Sequence, residues 1–302
     1  MNTKNRESSL PQMTFFACTF VTVLVALIFI TFVFYTAYPV LKSEGLSFIT
    51  GKTWSYSDNV YGVRLFLAGT LVMTGLTLVL AVPLSIFTAI FLSEFAPRSV
   101  ASTMRPMIEL LVGIPSVVYG IFGLFVLAPI FRDHLNPLIS GALGFIPFFY
   151  DSSPQLGIGL LLASTILTVM ILPTITAFSE DAISSVPNDY KEASYALGAT
   201  HWETISKVIL PAASAGIIAA VILGMMRAMG ETMAIVMLLG NSFNIPSSIF
   251  DTGYAMTSKI LNDAGFYIEQ ATPRSALFGI AAVLFTMEMV FVAIARKLGG
   301  RI

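Results

Sequence analysis

Six long, uninterrupted apolar runs dominate this chain and decide the solvent in which it folds. They cover about Met13–Tyr38, Arg64–Leu92, Met107–Ile130, Leu156–Phe178, Ala212–Gly240 and Ser275–Ala295. Crossing a hydrocarbon core of about 30 Å takes roughly 20 residues of α-helix, and each run reaches that length. The second and fifth exceed it, which tilt or an interfacial end absorbs. The runs lack the period-two alternation of barrel strands, so they are read as helices. The expected fold class is all-α: a polytopic membrane protein with six transmembrane helices. The first run is too long for a cleavable signal peptide, and no small-residue cleavage site follows it. Residues 1–12 then read as an N-terminal tail and 13–302 as a single transmembrane domain.

Composition agrees with lipid as the solvent. Of 302 residues 56% are apolar and 11% charged, against about a quarter charged in soluble domains. Sixteen Lys and Arg face seventeen Asp and Glu, a net charge of -1. That balance excludes a nucleic-acid binder held by a basic field and a disordered acidic chain. A single cysteine, Cys18, leaves no disulfide framework and no cysteine-built zinc site. His134 and His201 stand far apart, so neither a metal nor a cofactor is expected.

An even number of spans puts both termini on one side. That side holds Lys4, Arg6, Arg98, Arg105, Lys191, Lys207, Arg296, Lys297 and Arg301. The other holds Lys42, Lys52, Arg64, Arg132, Lys259 and Arg274 in longer loops. The excess predicts cytoplasmic termini in a cell membrane. Outer segments 39–63, 131–155 and 241–274 are rich in Gly, Pro, Ser, Asn and aromatics, as surface connections are.

The inner loop 179–211 reads instead as ordered structure. Pro187, Asn188 and Asp189 start a helix, Tyr190 to Leu197 continue it, and Gly198 offers a turn before a segment ending at Pro211. A short helix with small side chains can sit closely in a partner's cleft, and Glu192 can pair with a basic group there. An ordinary surface helix-turn-helix is the plainer reading. The order Glu192-Ala193-Ser194, three residues, Gly198, nine residues, Val208-Ile209-Leu210-Pro211 resembles the Glu-Ala-Ala loop of ABC importer permeases, with Ser194 and Val208 as departures. The resemblance implies that Glu192, Ala193, Gly198, Leu210 and Pro211 belong to a loop that couples to an ATPase, and that the fold is that of a type I ABC importer permease.

Arg227 falls inside the fifth run, with Glu231 four residues on and expected on the same helical face. Charge at mid-membrane costs at least about 2.5–3.5 kcal/mol, so such residues are usually functional. A guanidinium presents a planar fork of donors that matches a tetrahedral oxyanion. The competing reading is a self-neutralising Arg227–Glu231 pair, which also suits a gate. The string Arg227-Ala228-Met229-Gly230-Glu231-Thr232-Met233-Ala234 is similar to a signature of permeases in the phosphate-specific transport (Pst) system. Leu111-Val112-Gly113-Ile114-Pro115-Ser116-Val117-Val118-Tyr119-Gly120 resembles the same family, as does the stretch from Gly69 through Pro83 to Pro97. Met233 and the long first and last outer loops point to its C-type. The resemblance implies a phosphate pathway at Arg227 and Glu231. It also implies an A-type permease forming a heterodimer, two cytoplasmic ATPase subunits, an external phosphate-binding protein, inorganic phosphate as cargo, and surrounding membrane lipid.

Other polar groups read more plainly. Glu109, four residues after Arg105, is expected to pair with it, and Glu288 in the sixth run to face a partner or another helix. Tyr119 is packed or lines a polar path. Pro83 and Pro115 are sites for kinks, and Gly113 and Gly120 permit close helix approach. Cys18 is a small apolar residue, Trp54 a contact for a partner or the membrane surface, and Trp202 packing within the inner loop. Gly45 and Gly51-Lys52-Thr53 have five residues between the glycines, where a phosphate-cradling loop needs four. ATP hydrolysis therefore belongs to another subunit, and this chain is not an enzyme. A sulfate or molybdate importer is the nearest alternative. An ion-coupled transporter would not need the inner loop, and a membrane enzyme would need a catalytic cluster that the chain lacks.

Overall fold

The structure, a computed structural model, describes residues 9–150 and 157–299. Lys4, Arg6, Arg301 and Leu156, and most of the proposed N-terminal tail, lie outside these. Helix α1 is Ser9–Glu44 and the short turn α2 Ser47–Thr50. Strands β1 (Trp54–Ser55) and β2 (Val60–Tyr61) pair antiparallel, Trp54 opposite Tyr61. Then follow α3 (Arg64–Ile90, widened into a π turn over Phe91–Phe95), α4 (Arg98–Val112), α5 (Ser116–Leu143), α6 (Leu160–Ser184) and α7 (Asn188–Ala196). Helices α8 (His201–Gly230), α9 (Met233–Leu238), α10 (Met256–Tyr267) and α11 (Ala271–Gly299) complete the order. Among the described residues six helices are long and apolar enough to cross a membrane: α1, α3, α5, α6, α8 and α11.

Two helices depart from the apolar runs for a backbone reason. The run at 107–130 is split: residues up to Val112 finish α4, and Gly113-Ile114-Pro115 break the chain before α5. Pro115 has no N–H to continue the α4 ladder and disfavours helical geometry at Ile114. Helix α5 then runs on to Leu143, taking Arg132, Asp133 and His134 into a π turn instead of a loop. The run at 212–240 is likewise interrupted. Helix α8 ends at Gly230, and Glu231 is extended with φ -66° and ψ 135°.

The centre of the bundle is the parallel pair α3 and α6. Ser164 Oγ donates to the Met73 carbonyl at 3.3 Å, Thr168 Oγ1 to the Thr77 carbonyl at 3.4 Å, and Thr176 Oγ1 to the Ser85 carbonyl at 3.4 Å. All three pairs are 91 residues apart in sequence, so the helices run parallel in one register. Ser85 Oγ answers with a bond to the Leu172 carbonyl at 3.4 Å. Interhelical bonds of this kind contribute on average about 0.6 kcal/mol each in a membrane, and small residues let the backbones approach. Helix α8 closes on α6 where Gly216 meets Ala182 and Gly224 meets Ile175. Helix α1 packs on α11 through Val33, Ala37 and Ala282, with Phe32 edge-on to Phe278, and presents the rest of its apolar surface outward.

Gly69 on α3 is in contact with the Tyr254 backbone, and a Cβ there would collide with the Tyr254 carbonyl oxygen. Gly69→Val should therefore lower stability by about 1–3 kcal/mol, the usual cost of overpacking a rigid contact. Thermal unfolding in detergent measures this, and an unchanged midpoint would contradict the packing described.

Candidate functional site

At one end of the bundle the segment 185–211 folds into a compact knuckle. Helix α7 starts after Pro187 and closes with a left-handed turn: Gly198 has φ +83°, its N–H donates to the Tyr195 carbonyl at 2.9 Å, and the Ala199 N–H to the Ser194 carbonyl at 3.2 Å. This pair of bonds satisfies helix-end carbonyls, and glycine takes the conformation without a Cβ penalty. Thr200 and Glu203 then form a reciprocal capping box that starts α8. The departure at Ser194 has a partner, because its buried hydroxyl bonds Thr204 Oγ1 at 2.9 Å.

The knuckle is tied to the bundle and bare at its tip. Lys191 Nζ pairs with Glu94 at the end of α3 at 2.7 Å, and His201 meets the Phe95 ring edge-on. Ile205, Ile209 and Ala213 pack on Ala89, Ile90 and Ile183. Leu210 joins this packing and Pro211 follows it, so these two form the root rather than the tip. Glu192 and Ala193 are exposed, as are Tyr190, Tyr195 and Leu197, the last at 90%. Trp202 is also exposed and does not pack inside the knuckle. A rigid, partly apolar projection of this kind is what a docking element requires.

Arg227 occupies the last turn of α8, and the expected pair with Glu231 does not form. The helix stops at Gly230 and the chain turns away after Glu231, so the Glu231 carboxylate is drawn to the freed start of α9 instead of to Arg227. Glu231 Oε1 accepts the Ala234 N–H at 3.2 Å, at the start of α9, and its carbonyl accepts Thr257 Oγ1 at 2.8 Å. Among the described residues the Arg227 guanidinium has neither an ion pair nor a hydrogen bond. The Tyr119 hydroxyl on α5 donates to the Leu111 carbonyl at 3.0 Å. Gly120 packs on Ala234 and Met237, which sets α5 against α9 beside the break.

The opposite end of the bundle carries a feature that sequence reading missed. Lys259 on α10 is 3% exposed, and the rings of Trp54, Tyr56, Phe66, Phe243 and Tyr254 surround its ammonium at 4.9–5.5 Å. Asp263 pairs with Lys259 and also accepts the Tyr56 hydroxyl. Burial pushes the Lys259 ammonium below the ordinary lysine value, with Asp263 acting in the opposite sense, and it pushes the Tyr56 phenol up. Cation–π contacts of a desolvated ammonium reach about 2 kcal/mol. Trp54 is thus an internal ring of this cage. The abundance of aromatics in both outer segments was the available signal.

Glu109 is exposed and does not pair with Arg105, which donates from Nε to Glu180 on α6 at 2.6 Å. Tertiary proximity to a more buried carboxylate outweighs the local spacing. Glu288 is half-buried on α11 with no hydrogen-bond or ion-pair partner among the described residues. Cys18 is exposed on α1, and no metal-binding cluster of His, Cys, Asp and Glu occurs among the described residues.

Residues 81–302 match the family described as "Binding-protein-dependent transport system inner membrane component". The chain is 36% identical over 293 residues to the phosphate transport system permease protein PstC of Pasteurella multocida, covering 96% of this chain and 91% of that one. It is 41% identical over 258 residues to a probable ABC transporter permease protein, YqgH, of Bacillus subtilis (85% and 78%). It is 32% identical over 275 residues to a probable PstC of Methanocaldococcus jannaschii (90% and 87%). A permease chain of a bacterial alginate ABC transporter superposes with a TM-score of 0.59 at 17% identity, covering 98% of this chain and 96% of that one. An inward-facing MetNI methionine transporter chain gives 0.54 at 20% identity (80% and 94%). These structures share the type I importer permease fold.

Gly198 has open space around it, so a side chain there meets strain and not a clash. A branched residue in this conformation costs about 1–3 kcal/mol, whereas Asn visits it readily. Gly198→Val should speed hydrogen exchange at the amides of 194–199 and leave α3 and α6 unaffected, while Gly198→Asn should do neither. Equal exchange in both variants would refute the turn assignment.

Proposed function

Because this chain belongs to the PstC family of phosphate transport permeases, among the binding-protein-dependent inner membrane components, we propose that it forms half of the phosphate pathway of an ATP-driven importer. Its companions in this reading are an A-type permease completing a heterodimer, two cytoplasmic ATP-binding cassette subunits, and an external phosphate-binding protein. Both termini face the cytoplasm, as the excess of basic residues on that side supports. The chain hydrolyses nothing itself.

The observation that carries this reading is the guanidinium of Arg227, unpaired among the described residues, at a helix break. In a low-dielectric site an unneutralised guanidinium attracts a multiply charged oxyanion strongly and holds it with paired N–H donors. Glu231 uses one carboxylate oxygen on Ala234 and keeps the other available. A carboxylate beside the anion accepts the proton of a P–OH group and repels a fully ionised sulfate, so the pair favours phosphate over sulfate or molybdate. At the far end of the same helix α8, the knuckle of Glu192, Ala193 and Gly198 is the surface for an ATPase. Leu210 and Pro211 join it to the span, so motion of the knuckle is delivered along α8 to Arg227.

Arg227→Gln should abolish ATP-driven phosphate uptake while the complex still assembles, since a neutral amide loses the charge. Arg227→Lys should recover only part, because a point charge lacks the fork of donors. Uptake of labelled phosphate in proteoliposomes holding all subunits measures both, and normal uptake by Arg227→Gln would refute the assignment.

A further inference from the structure

We propose that Thr257 is a positioning residue that keeps Arg227 available to the anion. The proposal rests on the pathway role assigned to Arg227. Residues 227 and 231 are spaced to pair on a continuous helix, and that pair would neutralise the site. They are kept apart because the break after Glu231 leaves the Ala234 N–H free of a helical partner, and that N–H takes the Glu231 carboxylate. A break inside a membrane bundle frees backbone groups that lipid cannot satisfy. Here the Glu231 carbonyl is taken by Thr257 Oγ1 at 2.8 Å, and the Glu231 carboxylate by the Ala234 N–H.

Thr257 is itself held from two sides. The N–H of its neighbour Met256 donates to Thr70 Oγ1 on α3 at 3.0 Å, and that hydroxyl donates to the Phe66 carbonyl at 2.9 Å. Two residues on, Lys259 is locked in its aromatic cage with Asp263. The start of α10 is therefore a fixed point, anchored to the central helix α3 and the outer hairpin, from which one hydroxyl reaches the break. Without that hydroxyl the Glu231 carbonyl loses its partner. Winding α8 through one further turn then becomes the way to restore backbone pairing; it gives the Ala234 N–H to the Gly230 carbonyl and frees the Glu231 carboxylate for Arg227.

The test uses the complete transporter in proteoliposomes. Thr257→Val keeps the shape and removes the donor, and should lower phosphate uptake by about tenfold, the upper range for one lost hydrogen bond. Thr257→Ser should stay within about twofold, since it keeps the bond. In a Glu231→Gln background the Thr257→Val change should cause little further loss, because no carboxylate remains to capture the arginine. Wild-type uptake by Thr257→Val, equal loss in Val and Ser, or losses that multiply with Glu231→Gln would each overturn the proposal. If Thr257→Val fails to assemble, Thr257→Ala against Thr257→Ser asks the same question with a single hydroxyl as the difference. Full uptake by Arg227→Gln would instead defeat the pathway role on which the proposal stands.

Discussion

Lipid offers no hydrogen bonds, and the bonds that join the central helices of this protein are arranged around that fact. The α3–α6 pair shows the constraint at its simplest. Hydroxyls of Ser164, Thr168 and Thr176 each reach a carbonyl on the neighbouring helix, at a constant separation of 91 residues. That register permits close approach of two parallel backbones, and α8 packs on α6 in turn through Gly216 and Gly224. The remaining spans are placed against this centre, with α1 at its margin, held by α11.

The same constraint governs the break after α8. Ending α8 at Gly230 frees carbonyls and amides that must be paired within the protein. Thr257 and Glu231 itself meet that need, and the consequence is an Arg227 that is unpaired among the described residues. A charged residue without a partner is expensive in this environment. Keeping it so requires a rigid frame, and the frame is α10, bolted to Thr70 on one side and to the Lys259 cage on the other. The knuckle at the opposite end of α8 is equally well tied down, through Lys191 to Glu94 and Ser194 to Thr204. One helix thus connects two fixed structures.

Much of this was legible in the residues and some was not. The six runs were plain because each is longer than a membrane is thick. The knuckle was plain because Pro187, Gly198 and Pro211 punctuate it. Arg227 stood out because charge is so scarce. The hydroxyl ladder was harder to see, since Ser and Thr are unremarkable in sequence and only a partner helix reveals their purpose. The Lys259 cage draws on rings from Trp54 to Tyr254, about two hundred residues apart, and no local pattern joins them.

What the sequence determined alone is the architecture set by solvent and backbone chemistry: apolar length dictates spans, and proline and glycine dictate where they stop or turn; the type I permease fold was implied by the resemblance carried by Glu192–Pro211. What tertiary structure decided is which charges meet. Glu231 and Arg227 are spaced to pair and do not; Arg105 chooses Glu180 over Glu109; Lys259 finds five rings and Asp263. The physical reason is common to all three. The energy of a charge inside a bundle depends on burial and on orientation across helices, and neither is encoded in spacing along one.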